Sequence, residues 1–492
     1  NDLLEPLEDA TESLSRSWGV VSHLNSVADT PELRAAYGEM MPKVTAFFSS
    51  LGQNLALYQK FKELSQSADY ATLSAAQKKV IENSLRDFRL GGAELSDAEK
   101  PRFSAIQDEQ AMLGKAFSDH VLDATDSFVH VITDQSELMG LPEDAIAAAA
   151  DTAQQKGLEG WAFTLHFPSY YPVMQYSENR PLRRLMYEAY VTRASELAPE
   201  FSKGKLDWDN TSNMLEQLKL RDEEAQMLGF KNYAALSIAP KMASSVEEVD
   251  AFLCNFAQKA KPFALKDWQE LSEFAKTELA IANGLEPWDI AFASERLKQE
   301  RYSFSENELK QYFPLPKVLD GLFQVIQTLF GVNIESADLP TWHADVQSFS
   351  VKNAEGKIAA YFYLDPYARP GKRGGAWMDD ARGRRELANG EIQVPVAYLV
   401  CNFAPPVKVD GVLRQPTITH DDVITLFHES GHGLHHLLTQ VSALGVSGIN
   451  GVEWDAVELP SQFMENFCWE WEVLEKMTAH AETGKPLPKD LF

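Results

Sequence analysis

Cysteine is scarce in this chain of 492 residues, which contains only Cys254, Cys401 and Cys468. Their number is odd and no two of them form a CxxC pair, so neither a disulfide framework nor a cysteine-rich metal site organises the fold. Each of the three lies within an apolar segment of the sequence. The sequence therefore predicts buried free thiols in a reducing compartment, which favours a cytoplasmic protein.

Long hydrophobic runs and positive charge are also lacking. The longest apolar stretches, such as Ala145–Ala150, fall far short of the roughly 20 residues that a membrane-spanning helix needs, and the N-terminal residues do not have a signal-peptide pattern. The net charge of −27 would repel a phosphate backbone, and no basic stripe offsets it. We therefore expect neither membranes nor nucleic acids as partners, and we expect a monomer.

Helical periodicity is the main feature of the sequence up to about residue 339. The hydrophobic content of 45% is sufficient for large cores, and we expect two or more lobes. Six segments have apolar residues at helical spacing: Ala76–Leu90, Asp108–Leu122, Leu182–Ala198, Asn213–Leu228, Val246–Ala282 (predicted as two helices) and Pro316–Phe330. Residues 1–340 are therefore predicted to form a helical N-terminal lobe.

The pattern changes near Pro340. Three segments are rich in Val, Tyr and Phe and are bounded by turn residues, which predicts the strands Val346–Val351, Gly356–Leu364 and Val394–Phe403. A loop is expected at Arg369–Gly375, and helical periodicity returns at Thr419 and again after Asp455. Residues 341–492 are therefore predicted to form a catalytic segment in which a small sheet lies beside two helices.

The chemistry of the chain is concentrated on the first of these two helices, predicted at Asp421–Leu438. Thr419 and Asp422 have the spacing of an N-terminal capping pair. His428 and His432 are four residues apart, so their imidazoles project from one face of the helix. That arrangement is suited to binding a single metal ion, although two histidines on a polar helix face also occur without one.

Glu429, next to the first histidine, completes an HExxH pattern. In this pattern the histidines bind zinc, and the glutamate accepts a proton from an activated water molecule. His435 is seven residues beyond His428 and returns to the same face. We interpret His435 as a neighbour of the site and not as a ligand.

A third metal ligand is available in Trp454–Gln462, about thirty residues further along the chain. Glu458 would project from the first turn of a second helix, and Asp455 could either cap that helix or orient a histidine ligand. From the residues alone the choice of Glu458 stays open, because a glutamate at this position can simply cap a helix and three other carboxylates compete: Glu453, Glu465 and Glu470.

The segments Phe427–His432, Glu458–Gln462 and Met464–Asn466 resemble the active-site signature of the thimet-type oligopeptidases, a family of zinc metallopeptidases. Nearly the whole chain is similar to that family. Further resemblance is found at Thr341–Val346, Phe362–Arg369, Lys372–Ala376 and Cys401–Phe403, and upstream at Val21–Ser26 and Leu85–Leu90.

The resemblance implies one zinc ion per chain, with His428, His432 and Glu458 as its ligands and Glu429 as the catalytic base. It also implies a mainly α, two-lobed fold of many helices, with a small β-sheet beside the HExxH helix and a substrate channel between the lobes. The substrates that it implies are short, unstructured peptides. The expected function is therefore that of a zinc-dependent endopeptidase, or oligopeptidase.

Two departures from the family pattern qualify this expectation. Many members have Phe where Ser430 stands, at a position that points away from the metal. Members also continue into a helical segment with a Gly- and Tyr-rich loop, which is absent from this sequence, so we expect a chain truncated at its C-terminal end. The alternative function is therefore a zinc- and peptide-binding fragment with impaired catalysis.

The strand Val394–Phe403 suggests how a peptide could bind. If it is an edge strand, an extended peptide can add to it through main-chain hydrogen bonds, which tolerate many side chains. If it lies inside the sheet, this mode of binding is not available at that strand.

Overall fold

A computed structural model of the chain describes residues 4–198, 208–409 and 412–492. Helices dominate this part of the chain, as the sequence predicts. They are α1 (Leu4–Val27), α2 (Pro31–Gly52), α3 (Leu55–Ser65), α4 (Ala75–Leu90), α5 (Lys100–Ser127), α6 (Glu143–Gln155), α7 (Phe167–Tyr176), α8 (Arg180–Thr192), α9 (Thr211–Met227), α10 (Tyr233–Ile238), α11 (Val246–Thr277), α12 (Pro287–Tyr302), α13 (Glu306–Leu309), α14 (Leu315–Phe330), α15 (His420–Leu437), α16 (Leu459–Glu465) and α17 (Trp471–Met477).

Strands are short and lie mainly in the second part of the chain. They are β1 (His130–Ile132), β2 (Trp161–Phe163), β3 (Asn333–Ser336), β4 (Gln347–Lys352), β5 (Ile358–Tyr367), β6 (Trp377–Arg382), β7 (Arg385–Glu386), β8 (Ile392–Gln393), β9 (Val396–Phe403), β10 (Val407–Val409) and β11 (Val412–Arg414). The predicted strands correspond to β4, β5 and β9.

Local sequence explains where many helices begin and end. Ser74 and Gln77 form a reciprocal capping box at the start of α4, and the side chain of Ser245 accepts a hydrogen bond from Glu248 N at the start of α11. α14 ends at Gly331, which has φ = 66°, a conformation that glycine adopts without strain. The predicted break in Val246–Ala282 is wrong, because α11 is one helix that contains Pro262.

The main sheet has five strands in the order β3-β4-β5-β9-β6. The pair β5 and β9 is parallel, and the other neighbouring strands are antiparallel. β9 therefore lies inside the sheet, and the edge position considered for Val394–Phe403 is wrong. The edge next to β9 is formed by β6, which the sequence did not predict because its segment carries few β-branched residues.

A large hydrophobic core packs α14, the main sheet and α15 together. Its members run from Phe313 to Met477, and Cys401 of β9 and Phe427 of α15 are among its most buried residues. α14 and β3 thus share a core with residues beyond 341. The predicted division at residue 340 stays a prediction. A second core, from Phe128 to Ala189, lies within the helical region.

Two of the three thiols are buried, as predicted. Cys401 and Cys468 are buried, whereas Cys254 is exposed on α11, so the expectation for Cys254 is wrong. The apolar neighbours of Cys254 in sequence, such as Phe252 and Phe256, are also exposed on this helix. Across the described ranges, no helix combines the length and the apolar character that crossing a bilayer requires.

A cleft of about 1620 Å³ lies beside the first turns of α15. Residues of α6, α7 and α12 line it. It is also lined by the end of β9, by Pro416 and Thr417, and by the first turns of α15. The cleft thus lies along the helix that carries the HExxH pattern.

Candidate metal centre and active site

The start of α15 is held by the capping pair that the sequence predicts. Asp422 N donates to Thr419 Oγ1 at 3.1 Å, and Thr419 N donates to Asp422 Oδ2 at 3.0 Å. Burial raises the pKa of Asp422 to about 6. This box begins the helix at a defined residue, which sets the faces on which His428 and His432 lie.

The structure brings His428, His432 and Glu458 together. One ligand atom from each lies within 4.8 Å of the other two. Glu458 Oε2 is 3.1 Å from Nε2 of His428 and 3.1 Å from Nε2 of His432. Tetrahedral zinc, with bonds of about 2.0–2.2 Å, requires ligand atoms about 3.3 Å apart, so this donor set fits a zinc ion.

Close packing of α16 against α15 places Glu458 in reach of the histidines. A Cβ on Gly431 would lie 2.5 Å from Pro460 O and 2.6 Å from Ser461 Cα, so only glycine permits this approach. Ser461 Oγ donates to Glu458 Oε2 at 2.8 Å and orients the carboxylate. Glu458 is the N-cap residue immediately before α16, so the prediction that it lies in the first turn of that helix is wrong.

Glu465 contacts the other side of the His428 ring. Its Oε1 is 2.6 Å from His428 Nδ1, so Nδ1 donates the hydrogen bond and Nε2 presents its lone pair to the site. Sequence reasoning considered Glu465 only as a competing ligand. The spacing of seven residues between Glu458 and Glu465 corresponds to two helical turns. It could have predicted that the two side chains lie on the same face of a helix.

The role predicted for Asp455 is wrong in both of its forms. Asp455 accepts hydrogen bonds from Met242 N and Ala243 N, both at 2.9 Å. It is exposed and connects the segment before Glu458 to the turn that precedes α11. It neither caps α16, whose N-cap residue is Glu458, nor contacts a histidine of the site. A spacing of three residues in sequence could not reveal this contact, because its partners are more than 200 residues away.

Glu429 is buried beside the converging ligand atoms. Glu429 is 5% exposed, and its Oε2 has no hydrogen-bond partner among the described residues. Burial raises the pKa of Glu429 to about 7; the nearby Glu458 also raises it, and His428 lowers it. A carboxyl group with this pKa can both accept and release a proton near neutral pH.

Two further histidines, His435 and His436, follow His432 along α15. Burial lowers the pKa of His432 and of His435. Within the described residues, the converging ligand atoms do not include His435. His436 is fully buried, and its Nε2 is 3.0 Å from Arg382 O, so it contributes to the contact between α15 and β6.

The fold and this site together define a metallopeptidase with an HExxH helix. Residues 173–492 match the model of Peptidase family M3, and residues 1–100 match that of the Neurolysin/Thimet oligopeptidase N-terminal domain. Because the first match alone covers more than half of the chain, the chain belongs to peptidase family M3. The family and the enzyme class predicted from the sequence are therefore confirmed.

Curated relatives agree with this assignment. Oligopeptidase A of Escherichia coli (strain K12) is 48% identical over 492 residues, which are all of this chain and 71% of that protein. Probable cytosolic oligopeptidase A of Arabidopsis thaliana is 42% identical over 504 residues, covering 100% of this chain and 70% of the relative. The chain thus resembles bacterial oligopeptidase A, as its motifs indicate, and spans about 71% of its length.

A solved structure supports the fold alone. A protein of Bacillus anthracis str. Ames designated oligoendopeptidase F has a TM-score of 0.54 and 17% sequence identity. The similarity covers 95% of this chain and 66% of that one. The mainly α fold with a small sheet is therefore confirmed.

Proposed function

We propose that this chain is a zinc-dependent endopeptidase that hydrolyses short, unstructured peptides. The observation that carries the proposal is the convergence of His428, His432 and Glu458, with the buried Glu429 on the same helix. Two imidazoles and one carboxylate leave a fourth position of a tetrahedral zinc open, as hydrolytic sites require. We propose one zinc ion per chain.

The chemistry of the site divides between the metal and Glu429. A zinc ion with these ligands supplies Lewis-acid activation of a water molecule and of the scissile carbonyl. Glu429 accepts the proton of the attacking water and returns it to the leaving amine. The carboxyl must be ionised for the first transfer and protonated for the second, so Glu429 holds the proton between the two steps.

Two groups outside the ligand set position the site. Glu465 holds the His428 ring through Nδ1, so that Nε2 is directed to the metal position. Ser461 holds Glu458 Oε2 by a hydrogen bond of 2.8 Å. Both groups belong to α16, so the orientation of the ligands depends on the contact of that helix with α15.

The cleft and the edge of the sheet provide room for a peptide. Because β9 lies inside the sheet, the edge strand β6 is the strand beside α15 to which an extended peptide could add by main-chain hydrogen bonds. The cleft then receives the parts of the peptide beyond the scissile bond, along the first turns of α15.

The decisive experiment separates binding from catalysis. Wild-type protein and the variant Glu429→Gln are compared for bound zinc and for turnover of a quenched fluorescent peptide. The variant should retain zinc and peptide affinity while losing about 10²–10⁴-fold in kcat, the usual contribution of a general base. Glu475→Gln, at an exposed position of α17, is the matched control.

Each outcome has a clear meaning. Unchanged turnover in Glu429→Gln contradicts the role of Glu429 as base. A wild-type chain that binds one zinc and the peptide without hydrolysing it supports the alternative function, a binding chain with impaired catalysis. A chain that binds no zinc contradicts the proposed metal centre.

A further inference from the structure

The cleft beside α15 has an aromatic and acidic lining in its described part. Thr419, Asp421, Asp422 and Thr425 line the cleft, which therefore runs along the first two turns of α15 and ends one turn before His428. A peptide held at the proposed metal centre would therefore extend into this cleft. The composition of its walls then influences which peptides are selected.

Negative charge exceeds positive charge in the walls. Three of the lining residues are cationic, namely Lys298, Lys310 and Arg414. Seven are carboxylates: Glu143, Asp144, Glu295, Glu306, Asp421, Asp422 and Glu482. Two of the cations are already used within the protein, because Lys298 pairs with Glu306 and Lys310 pairs with Asp144.

Part of this excess acts electrostatically on Tyr171, which also lines the cleft. Burial raises the pKa of this phenol, and so do the charges of Asp421, Glu295 and Glu306, whereas Lys298 lowers it. These three carboxylates and this one ammonium group line the same cleft as Tyr171, which leaves about two uncompensated negative charges in this part of its lining.

Glu295 is a built part of this wall. It is 3% exposed and accepts hydrogen bonds from Gln175 Nε2 at 3.2 Å, Gln299 Nε2 at 2.9 Å and Glu306 N at 3.1 Å. All three donors are neutral, so they hold the carboxylate in place without cancelling its charge. Asp421 is exposed and also lines the cleft.

Aromatic rings complete the surroundings of this negative region. Tyr171 stacks on Phe167 with ring centroids 4.9 Å apart, and the two residues are 37% and 51% exposed. An aromatic face beside carboxylates attracts cations through both the ring quadrupole and the Coulomb field. Walls of low dielectric strengthen that field inside a cleft compared with an open surface.

We propose that the region formed by Phe167, Tyr171, Glu295, Glu306 and Asp421 binds a positively charged group of the peptide substrate, away from the scissile bond. The group is a Lys or Arg side chain. The peptidase then prefers cationic peptides to acidic ones. This inference rests on the proposed function and adds the charge class of the substrate to it.

The test compares quenched peptides that share the residues around the scissile bond and differ only further away. One carries Lys and the other Glu at the distant positions. At low salt, kcat/KM should be about tenfold higher for the Lys peptide, as expected for a cation near two uncompensated charges that solvent partly screens. The preference should weaken as ionic strength rises.

Variants link the preference to the cleft. Asp421→Asn should reduce the ratio of the two kcat/KM values about threefold, since it removes one of the two uncompensated charges. Asp320→Asn, the same change at an exposed position of α14 outside the cleft, should leave the ratio unchanged. Using a ratio removes any general effect of either variant on catalysis.

The outcomes distinguish a failure of this inference from a failure of the proposed function on which it rests. If neither peptide is cleaved, the proposed function fails. If both are cleaved with equal kcat/KM, or if Asp421→Asn leaves the ratio unchanged, the peptidase function holds and the charge preference in this cleft is contradicted.

Discussion

At the scale of single residues, the site depends on the groups that form hydrogen bonds to the metal-ligating side chains as much as on those side chains themselves. An imidazole can present either nitrogen to a metal, and a hydrogen bond to the other nitrogen decides which. Glu465 makes that bond to His428, whereas Nδ1 of His432 is buried without a partner among the described residues. His428 is therefore the more firmly oriented of the two rings.

The first prediction concerns Glu465. Glu465→Gln should weaken zinc binding about 10- to 100-fold, because the amide is a weaker acceptor for the Nδ1–H group of His428. Competition with a chelator of known affinity measures the change. Glu475→Gln on α17 is the control, and equal zinc affinities in the two variants would contradict a positioning role for Glu465.

A buried histidine near the start of the chain, His23, affects the stability of the protein and not the binding of metal. His23 of α1 is 1% exposed and stacks on Tyr398 of β9 with ring centroids 3.7 Å apart. Neither ring nitrogen has a hydrogen-bond partner among the described residues. Burial lowers the pKa of His23 from 6.5 to about 4, despite the opposing charge of Asp365.

The second prediction follows from this pKa. Protonation favours the unfolded state, in which the pKa is higher, so the contribution of neutral His23 is full above pH 6.5 and is lost as the pH falls towards 4. Between these values, the free energy of unfolding should fall by up to about 3 kcal/mol more in the wild type than in His23→Phe. Denaturant unfolding across this range measures the difference.

His343 provides the control for this experiment. It is exposed, so His343→Phe removes an imidazole that is not buried, and the loss of stability between pH 6.5 and 4 should remain in this variant. Other groups titrate in the same range, but they are shared by the wild type and both variants. Parallel pH curves for the wild type and His23→Phe would contradict the assignment.

At the scale of elements, the contact between α15 and α16 assembles the metal centre. α15 supplies His428 and His432, and the segment that opens α16 supplies Glu458. The distance between the two helices is set by Gly431, where an added Cβ would meet backbone atoms. Backbone cannot rotate away as a side chain can, so even one methyl group must separate the helices.

The third prediction tests this contact. Gly431→Ala should weaken zinc binding by more than tenfold and destabilise the protein by about 1–3 kcal/mol, the usual effect of overpacking. Gly114→Ala in α5 is the matched control: no atom lies within 4 Å of its added Cβ, and it should stabilise the protein by up to about 1 kcal/mol. Wild-type zinc affinity in Gly431→Ala would show that the helices can separate without harm to the site.

The same elements show how far sequence could predict the structure. The capping pair at Thr419 and the spacing of His428 and His432 are local, so periodicity sufficed to predict them. Glu458 comes from another helix, and only the resemblance to a family selected it over other carboxylates. The order of the sheet, in which β6 covers the edge of β9, arises from contacts between distant segments and could not be read from β-propensity.

At the scale of the whole molecule, metal binding and folding are coupled. The ligands come from two helices that belong to one core with α14 and the sheet, so an ion bound between them stabilises the folded state of that core. An ion that binds only the folded chain raises the free energy of unfolding by RT ln(1 + [L]/Kd), about 2.7 kcal/mol at 100 times Kd. Stability therefore reports directly on which residues are ligands.

The last prediction uses this coupling to define the ligand set. After removal of metal with a chelator, added zinc at about 100 times Kd should raise the Tm of the wild type by about 3 °C, given the usual unfolding entropy per residue. His432→Ala should abolish the increase. His435→Ala removes a histidine from the same helix that is not among the converging ligand atoms, so it should retain the increase. A response to zinc that survives in His432→Ala, or disappears in His435→Ala, would mean that the metal is held by a different pair of nitrogens on α15.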